Sequence, residues 1–204
     1  MSESPTYALL VPVKAWDRAK TRLRRSPTRA DELPAAFALD AVAAAVACPL
    51  VASTWVVTDQ PGFHPPGTVL LPDRGAGDLN AALRAAEAHV RTHDAALGVA
   101  VLLADLPCLR ASELTAALES GGAARRYVAD SQGTGTTLLV ASSEVALDPQ
   151  FGEGSAARHL AGGATPVALD LPGLRLDVDT ADDLARAVRL GVGAHTAAAL
   201  RRGR

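Results

Sequence analysis

The stretch GVAVLLADLPCLRASEL, residues 98–114, decides the fold. It opens with a run of Val, Ala and Leu that is typical of a strand buried on both faces, as in a parallel sheet. The run ends at Asp105, and Pro107 turns the chain before a helical pattern for which Ser112 is a candidate N-cap. An aspartate at such a place can cap a helix, pair with a cation or bind a ligand, and the stretch alone leaves these alternatives open.

Strand-like and helix-like segments alternate along the rest of the chain, which is typical of an α/β fold. Further strands are predicted at residues 7–13, 53–59, 68–73, 126–130, 136–142 and 165–170, and one is expected to end at Leu176, before residues 177–180 lead into a helix. Helices are predicted at residues 31–47, 77–91, 112–120, within 151–163, and at 181–191 and 194–204, with Asp78 as the cap of the second. We expect one domain over residues 1–204, frayed at its basic C-terminal end. Its central sheet should be mixed but mostly parallel, with helices on both faces and some antiparallel pairing in the less regular second half.

The composition excludes several classes of protein. The chain has 204 residues, of which 49% are hydrophobic, and a formal net charge of −2, which gives no general attraction to nucleic acids or membranes. The longest Ala/Val-rich stretch, residues 35–47, contains Asp40 and is too short to span a bilayer. The N-terminus lacks a signal-peptide pattern, and the two cysteines have no metal-ligand spacing. We expect a cytoplasmic protein with no nucleic-acid or membrane partner.

Cations are concentrated after the first predicted strand. Lys14, Arg18, Lys20 and Arg22 follow it within a dozen residues. Such a loop at the end of a strand suits a polyphosphate, because its oxygens carry concentrated charge and accept several hydrogen bonds. A solvated basic loop is the alternative. The GxGxxG and GxxxxGK[ST] patterns are absent, which disfavours a dinucleotide-dependent dehydrogenase or a P-loop NTPase.

A second feature is the glycine-containing helix start GAGDLNAAL, residues 75–83. Its glycines let the backbone approach a ligand closely, and Asn80 could hydrogen-bond to a base or a ribose. The alternative is an ordinary capped helix start.

Three aspartates form the candidate metal site. Asp105 ends the buried run, and LDVDT places Asp177 and Asp179 two residues apart. If that segment is extended, both side chains point to one side. Three carboxylates at strand ends would repel one another unless a divalent cation neutralises them, and hard oxygen ligands suit Mg²⁺. Alternatively, Asp179 caps the helix that follows.

Two further loops carry glycines and hydroxyls. They are GTGTT, residues 133–137, and FGEGSAARH, residues 151–159. Their backbone N–H groups and hydroxyls are suited to an anion such as a phosphate or a carboxylate. His159 is expected to be a packed or surface side chain rather than a ligand.

Taken in order, PVKAWDRAKTRL, ADLPCL, GTGTTLL, FGEGSAARH and LDVDTADDL resemble the CofC/FbiD family over nearly the whole chain. Members of this family are the phosphoenolpyruvate or 2-phospho-L-lactate guanylyltransferases of coenzyme F-420 biosynthesis. The resemblance implies a single nucleotidyltransferase domain related to the GT-A glycosyltransferases. It also implies Mg²⁺-dependent transfer of GMP from GTP to the phosphate of a small 2-phospho acid, with release of pyrophosphate. A downstream transferase that consumes the product is an implied partner.

The resemblance also assigns residues by position. The metal would be held by Asp105, Asp177 and Asp179, and the phospho acid by Thr136, Gly152 and Ser155. The nucleotide would be bound by Pro12, Val13, Lys14, Lys20, Arg22 and Asn80, with Lys14, Lys20 and Asp105 as the catalytic set. One departure is Gly154 before the serine, where a more polar spacer is expected, and it could loosen the loop.

The sequence is also compatible with two other functions. One is a nucleotidyltransferase for another phosphorylated acceptor, such as a molybdopterin or a sugar phosphate, although those families usually carry a glycine-rich first loop. The other is a nucleotide-binding regulator without catalysis, which would have less need of three carboxylates.

Overall fold

The computed structural model describes residues 7–14 and 32–202. Within these ranges strands and helices alternate as the sequence predicts. The strands are β1 (Tyr7–Pro12), β2 (Val51–Val57), β3 (Thr68–Leu71), β4 (Gly98–Leu102), β5 (Arg125–Ala129), β6 (Thr136–Ala141) and β7 (Thr165–Pro166). The helices are α1 (Glu32–Val46), α2 (Leu79–His93), α3 (Ala111–Glu119), α4 (Ser155–Ala161), α5 (Pro172–Arg175), α6 (Ala181–Leu190) and α7 (Ala194–Arg202).

The strands form one mixed sheet in the order β3-β2-β1-β4-β6-β5-β7. β1 pairs in parallel with β2 and β4, and β2 pairs in parallel with β3. β6 is antiparallel to both of its neighbours, β4 and β5, so that Ala100 lies opposite Val140. The prediction of a mostly parallel sheet with antiparallel pairing in the second half is confirmed.

Alternate residues of the central strands enter different layers of the core, because successive side chains of a strand point to opposite faces. Leu9 packs in one cluster with apolar residues of α1 and α3, and Leu10 packs in another with apolar residues of α2. All five residues of β4 are buried. The sheet is therefore covered by helices on both faces, which explains the continuous apolar run that decides the fold.

Three local predictions are wrong. Ser112 does not cap α3: the helix begins at Ala111, and the Glu113 carboxylate accepts a hydrogen bond from Arg110 N (3.3 Å). No strand ends at Leu176, because Pro172 starts a short helix that runs to Arg175, and the first helical position suits the fixed φ of proline. Of residues 165–170, only Thr165 and Pro166 form a strand, and Val167 N adds one hydrogen bond to the Tyr127 carbonyl oxygen of β5 (2.8 Å). Asp78 does cap α2, accepting from Asn80 N (2.8 Å) and Ala81 N (3.2 Å).

The antiparallel direction of β6 gathers the predicted site at one edge of the sheet. The strand begins at the edge where β4 and β5 end. Thr136 at its start therefore lies at the same edge as Asp105 after β4 and Lys14 after β1. No helix in the described part of the chain is long and apolar enough to cross a membrane.

Candidate active site

A cavity of about 190 Å³ opens where β1 and β2 end, beside the start of α2. Its lining includes Pro12, Val13 and Lys14, three of the predicted nucleotide-binding residues. Lys14 is exposed. Lys20 and Arg22 lie outside the described residues, and their part in the site stays a prediction.

The cavity wall is held together by hydrogen bonds between the strand ends. Thr58 Oγ1 donates to the Val13 carbonyl oxygen (2.6 Å), and Asp73 N donates to the Asp59 carboxylate (3.0 Å). The loop that follows closes on α2, where a Cβ on Gly75 would lie 2.1 Å from the Asp78 carbonyl oxygen. Only glycine fits there, so Gly75 is needed for this close approach.

Asn80 joins this cavity to the FGEGS loop. Its Nδ2 donates to the Phe151 carbonyl oxygen (3.1 Å), and its Oδ1 accepts from Phe151 N (2.7 Å). Both ends of the carboxamide therefore contact the protein backbone. A contact between Asn80 and the base or ribose stays a prediction, whereas the bridge between the two loops is a finding that the sequence did not predict.

The predicted metal-binding aspartates lie close together. Val178 N donates to the Asp105 carbonyl oxygen (3.0 Å), which fixes the DVD segment against the end of β4. The pKa of Asp177 is raised from 3.8 to about 7, first by burial and then by the negative charges of Asp105, Asp179 and Asp130 in that order. Four carboxylates thus converge at one sheet edge.

Asp179 is not the cap of α6. That role belongs to Thr180, whose Oγ1 accepts from Asp183 N (3.2 Å), while the Asp183 carboxylate accepts from Thr180 N (3.0 Å). Asp179 itself is exposed. The capping alternative for Asp179 is therefore excluded.

The donor chemistry of these aspartates fits a hard divalent cation, because all of their donors are carboxylate oxygens and their mutual repulsion would fall when a cation binds. They do not form a closed cage. Over residues 7–14 and 32–202, no three His, Cys, Asp or Glu side chains are arranged so that they could already hold a metal ion.

Sequence reasoning missed Asp130, a buried aspartate after β5. Its carboxylate accepts from Gln132 N (3.1 Å), Thr134 N (2.9 Å) and Gly135 N (2.8 Å). It therefore shapes the loop that leads to Thr136. An aspartate followed by Ser, Gln and Gly at a strand end is a turn signal that could have indicated this role.

The two predicted phospho-acid loops contact each other. Ala156 N donates to the Thr134 carbonyl oxygen (3.1 Å), and Ser155 N donates to the Gly152 carbonyl oxygen (3.1 Å). Thr136 and Ser155 are both buried, at 2% and 1% exposure. The three predicted residues Thr136, Gly152 and Ser155 are thus gathered in neighbouring loops.

The backbone conformation explains why a glycine stands at position 154. It is the N-cap of α4 and adopts a left-handed conformation with φ +70°, which glycine accepts readily. The Arg158 guanidinium donates to the Gln150 carbonyl oxygen (3.1 Å) and to the Glu153 carbonyl oxygen. The loop is therefore tied down by backbone contacts on both sides of Gly152, and the glycine does not leave it unsupported.

His159 is packed in this region, as expected. It is 2% exposed, its ring meets Phe151 edge-on at 5.2 Å, and its Nδ1 lies 2.9 Å from Thr136 Oγ1. Gln150 N donates to its Nε2 (3.0 Å). Burial and then the Arg158 guanidinium lower the pKa of His159 from 6.5 to about 4, with a smaller lowering by Arg125 and an opposing effect of Asp148. The ring is therefore neutral at physiological pH.

The comparison with known families decides where this site belongs. A family model described as "Guanylyl transferase CofC like" matches residues 7–204. The chain belongs to the CofC guanylyl transferase family. The resemblance drawn from its five motifs is confirmed.

Curated CofC relatives are similar over nearly the full length. The phosphoenolpyruvate guanylyltransferase of Salinispora arenicola (strain CNS-205) is 47% identical over 200 residues, which cover 94% of this chain and 92% of that protein. The enzyme of the same name from Streptomyces scabiei (strain 87.22) is 48% identical over 212 residues, which cover 96% of each.

A solved structure supports the fold of this CofC chain. It is a candidate nucleotide-diphospho-sugar transferase from Desulfovibrio desulfuricans G20, with a TM-score of 0.71 at 18% identity. The match covers 97% of this chain and 95% of that one. The predicted nucleotidyltransferase-type fold is confirmed, and at this identity the likeness concerns the fold alone.

The neutral, buried His159 predicts a pH dependence of stability. Its folded-state pKa is about 4 against 6.5 in the unfolded chain, so its contribution is complete above pH 6.5 and is lost as the pH falls to about 4. The free energy of unfolding should therefore fall by about 3 kcal/mol over this range, because His159 gains a proton in the unfolded chain but not in the folded one.

Urea unfolding of wild type and His159→Asn across this pH range measures the effect as a difference between the two chains. The comparison is needed because Asp177, with its raised pKa, changes stability in the opposite direction over an overlapping range. A wild-type-minus-variant difference that does not change with pH would contradict the prediction.

Proposed function

We propose that this CofC chain transfers GMP from GTP to the phosphate of phosphoenolpyruvate and releases pyrophosphate, as a step of coenzyme F-420 biosynthesis. One observation supports it most: a cavity with a lysine, a group of carboxylates and two anion-suited loops follow one another along a single edge of the sheet. In that order, the nucleotide, its reacting phosphate and the acceptor would occupy neighbouring positions. The names of the curated relatives favour phosphoenolpyruvate as the acceptor.

The nucleotide would occupy the cavity at the ends of β1 and β2. Lys14, exposed beside the cavity, would balance triphosphate charge together with Lys20, and Pro12 and Val13 would contact the nucleotide through the wall. Arg22 and Asn80 complete the proposed nucleotide set. The acidic side chains at the other end of the site would repel the triphosphate without a counter-ion.

Mg²⁺ would be held by Asp105, Asp177 and Asp179, since carboxylate oxygens are ligands that suit it. Asp105 and Asp179 lie near enough to Asp177 for their charges to add to the effect of burial in raising its pKa. When bound, the ion would offset the charge of the two anionic substrates and orient the phosphates. The protein itself would contribute charge and orientation: the lysines neutralise charge, and the loop hydroxyls and N–H groups orient the acceptor.

Thr136, Gly152 and Ser155 would hold phosphoenolpyruvate. An oxygen of its phosphate attacks the α-phosphorus of GTP, the bond from that phosphorus to the bridging β-oxygen breaks, and pyrophosphate leaves with the electron pair. A phosphate monoester is already anionic near neutral pH, so the reaction needs positioning and charge balance rather than a general base. This is consistent with a sequence that offers no Ser–His or Cys–His pair for nucleophilic catalysis.

The direct test incubates the full chain with Mg²⁺, each of the four nucleoside triphosphates and a panel of acceptors. The panel contains phosphoenolpyruvate, 2-phospholactate, 3-phosphoglycerate and a sugar phosphate, and pyrophosphate release and product mass are followed. We expect release with GTP and phosphoenolpyruvate and a product with the mass of the guanylated acid. Nucleotide binding without release from any pair would indicate a regulator, and a product only with the sugar phosphate would indicate another acceptor class. Either result contradicts the proposal.

Asp177→Asn tests the proposed metal site with a readout besides activity. Without metal, the variant should unfold at a higher temperature than wild type, because one of several repelling carboxylates has gone. It should also lose the Mg²⁺-dependent rise in unfolding temperature, and its kcat should fall by at least about a hundredfold.

The control for Asp177→Asn is Asp182→Asn, an exposed aspartate in the first turn of α6. It should retain the Mg²⁺ response and the activity of wild type. If Asp177→Asn keeps the full Mg²⁺ response, the carboxylate group does not hold the ion.

A further inference from the structure

His159 connects the two loops proposed for the acceptor and has no assigned role. Its ring makes one hydrogen bond to each loop, from Nδ1 to Thr136 Oγ1 (2.9 Å) and at Nε2 from Gln150 N (3.0 Å). The side chain is 2% exposed and packs between two aromatic rings, Phe151 at 5.2 Å and Tyr127 at 6.1 Å between ring centroids. Both ring nitrogens have protein partners, so neither is left for a substrate, and any effect of His159 on the reaction passes through its neighbours.

The hydrogen bond from Gln150 fixes the tautomer of His159. A backbone N–H can only donate, so Nε2 must be the unprotonated nitrogen of the ring. The neutral imidazole then carries its proton on Nδ1, and Nδ1–H donates to Thr136 Oγ1.

This direction determines what the Thr136 hydroxyl can do. A threonine hydroxyl can donate one proton and can also accept, and here its oxygen accepts from the imidazole Nδ1–H. Among the hydrogen bonds of the described residues, Thr136 Oγ1 has no other partner than His159. Its proton therefore remains available for an acceptor oxygen, which an anionic substrate would supply.

The other side of the ring fixes the FGEGS loop. Gln150 N is held by His159, the Gln150 carbonyl oxygen is held by Arg158 (3.1 Å), and Phe151 is held by Asn80. Gly152 follows directly after these two anchored residues. The imidazole of His159 therefore bridges Thr136 and Gln150, and this bridge helps to fix the distance between Thr136 and Gly152.

We propose that His159 is a positioning residue of the acceptor site, which orients the Thr136 hydroxyl as a donor to the phospho acid and sets its spacing from Gly152. The inference rests on the proposed function, since it assumes that Thr136 contacts the acceptor. His159 does not touch the substrate and does not transfer a proton in the reaction.

Two amide variants separate the two hydrogen bonds of the ring. Asparagine places its amide near the position of Nδ1 and can still donate to Thr136, whereas glutamine reaches the position of Nε2 and can still accept from Gln150 N. His159→Gln should raise KM for phosphoenolpyruvate about tenfold, the usual effect of one lost hydrogen bond. Its KM for GTP and its kcat should stay within about twofold of wild type, because ground state and transition state lose the same contact. His159→Asn should raise KM for phosphoenolpyruvate less than His159→Gln does.

A double-mutant cycle tests whether His159 acts through Thr136. Thr136→Val should raise KM for phosphoenolpyruvate about as much as His159→Gln, and the double variant should be no worse than Thr136→Val alone, because both changes remove the same contact. Additive effects in the double variant would overturn the proposal. So would equal effects of the Asn and Gln variants, or a matching rise in KM for GTP.

A structural measurement keeps the proposal testable if a variant does not fold. The ¹⁵N chemical shifts of the wild-type His159 ring, recorded near pH 7 without substrates, report which nitrogen carries the proton. We expect the Nδ1–H tautomer, and the Nε2–H tautomer would overturn the proposal whatever the enzyme's substrate is. His64→Gln, at an exposed histidine on a loop, is the matched control for kinetics and for unfolding temperature.

The two kinds of failure are distinguishable. If wild type releases no pyrophosphate from GTP and phosphoenolpyruvate, the proposed function fails, whereas the tautomer measurement still tests the arrangement of the ring. If wild type is active and the variants do not separate as described, only the role of His159 fails.

Discussion

The hydrogen bond from Val178 N to the Asp105 carbonyl oxygen is the contact on which the candidate site depends. It fixes the DVD segment to the end of β4 and brings aspartates that are distant in sequence together. The same segment is anchored by its apolar residues, since Leu176 is 4% exposed and Val178 is fully buried. Core packing thus holds carboxylates together that would otherwise separate, and the pKa of Asp177 is raised by its burial and then by these neighbouring charges.

The reversed direction of β6 is the second requirement. In a wholly parallel sheet the start of this strand would lie at the opposite edge from the end of β4. Because β6 runs antiparallel, its first residue, Thr136, lies beside the carboxylates, and the loop shaped by Asp130 reaches the FGEGS loop. Cavity, carboxylates and acceptor loops then share one edge, an arrangement that suits the joining of two anions near a bound cation.

Much of this could be predicted from sequence because it depends on local pattern. The apolar run before Asp105 predicts β4, and Asp78 predicts the start of α2. One error arises where two local signals compete: Pro172 starts a short helix directly before Leu176, where the apolar pattern predicts the end of a strand. The contacts of His159 with Thr136 and of Asn80 with Phe151 join residues from separate segments. No periodicity or spacing signals such pairs, since only the folded sheet brings them together.

We propose that Asp105, Asp177 and Asp179 hold the cation that allows the two anionic substrates to meet. Anomalous diffraction from crystals grown with Mn²⁺ and a non-hydrolysable GTP analogue tests it most directly. We expect an anomalous peak within about 2.5 Å of carboxylate oxygens from Asp105 and from at least one of Asp177 and Asp179. A peak held only by the nucleotide phosphates, or by the acidic residues of the cavity at the ends of β2 and β3, would contradict it.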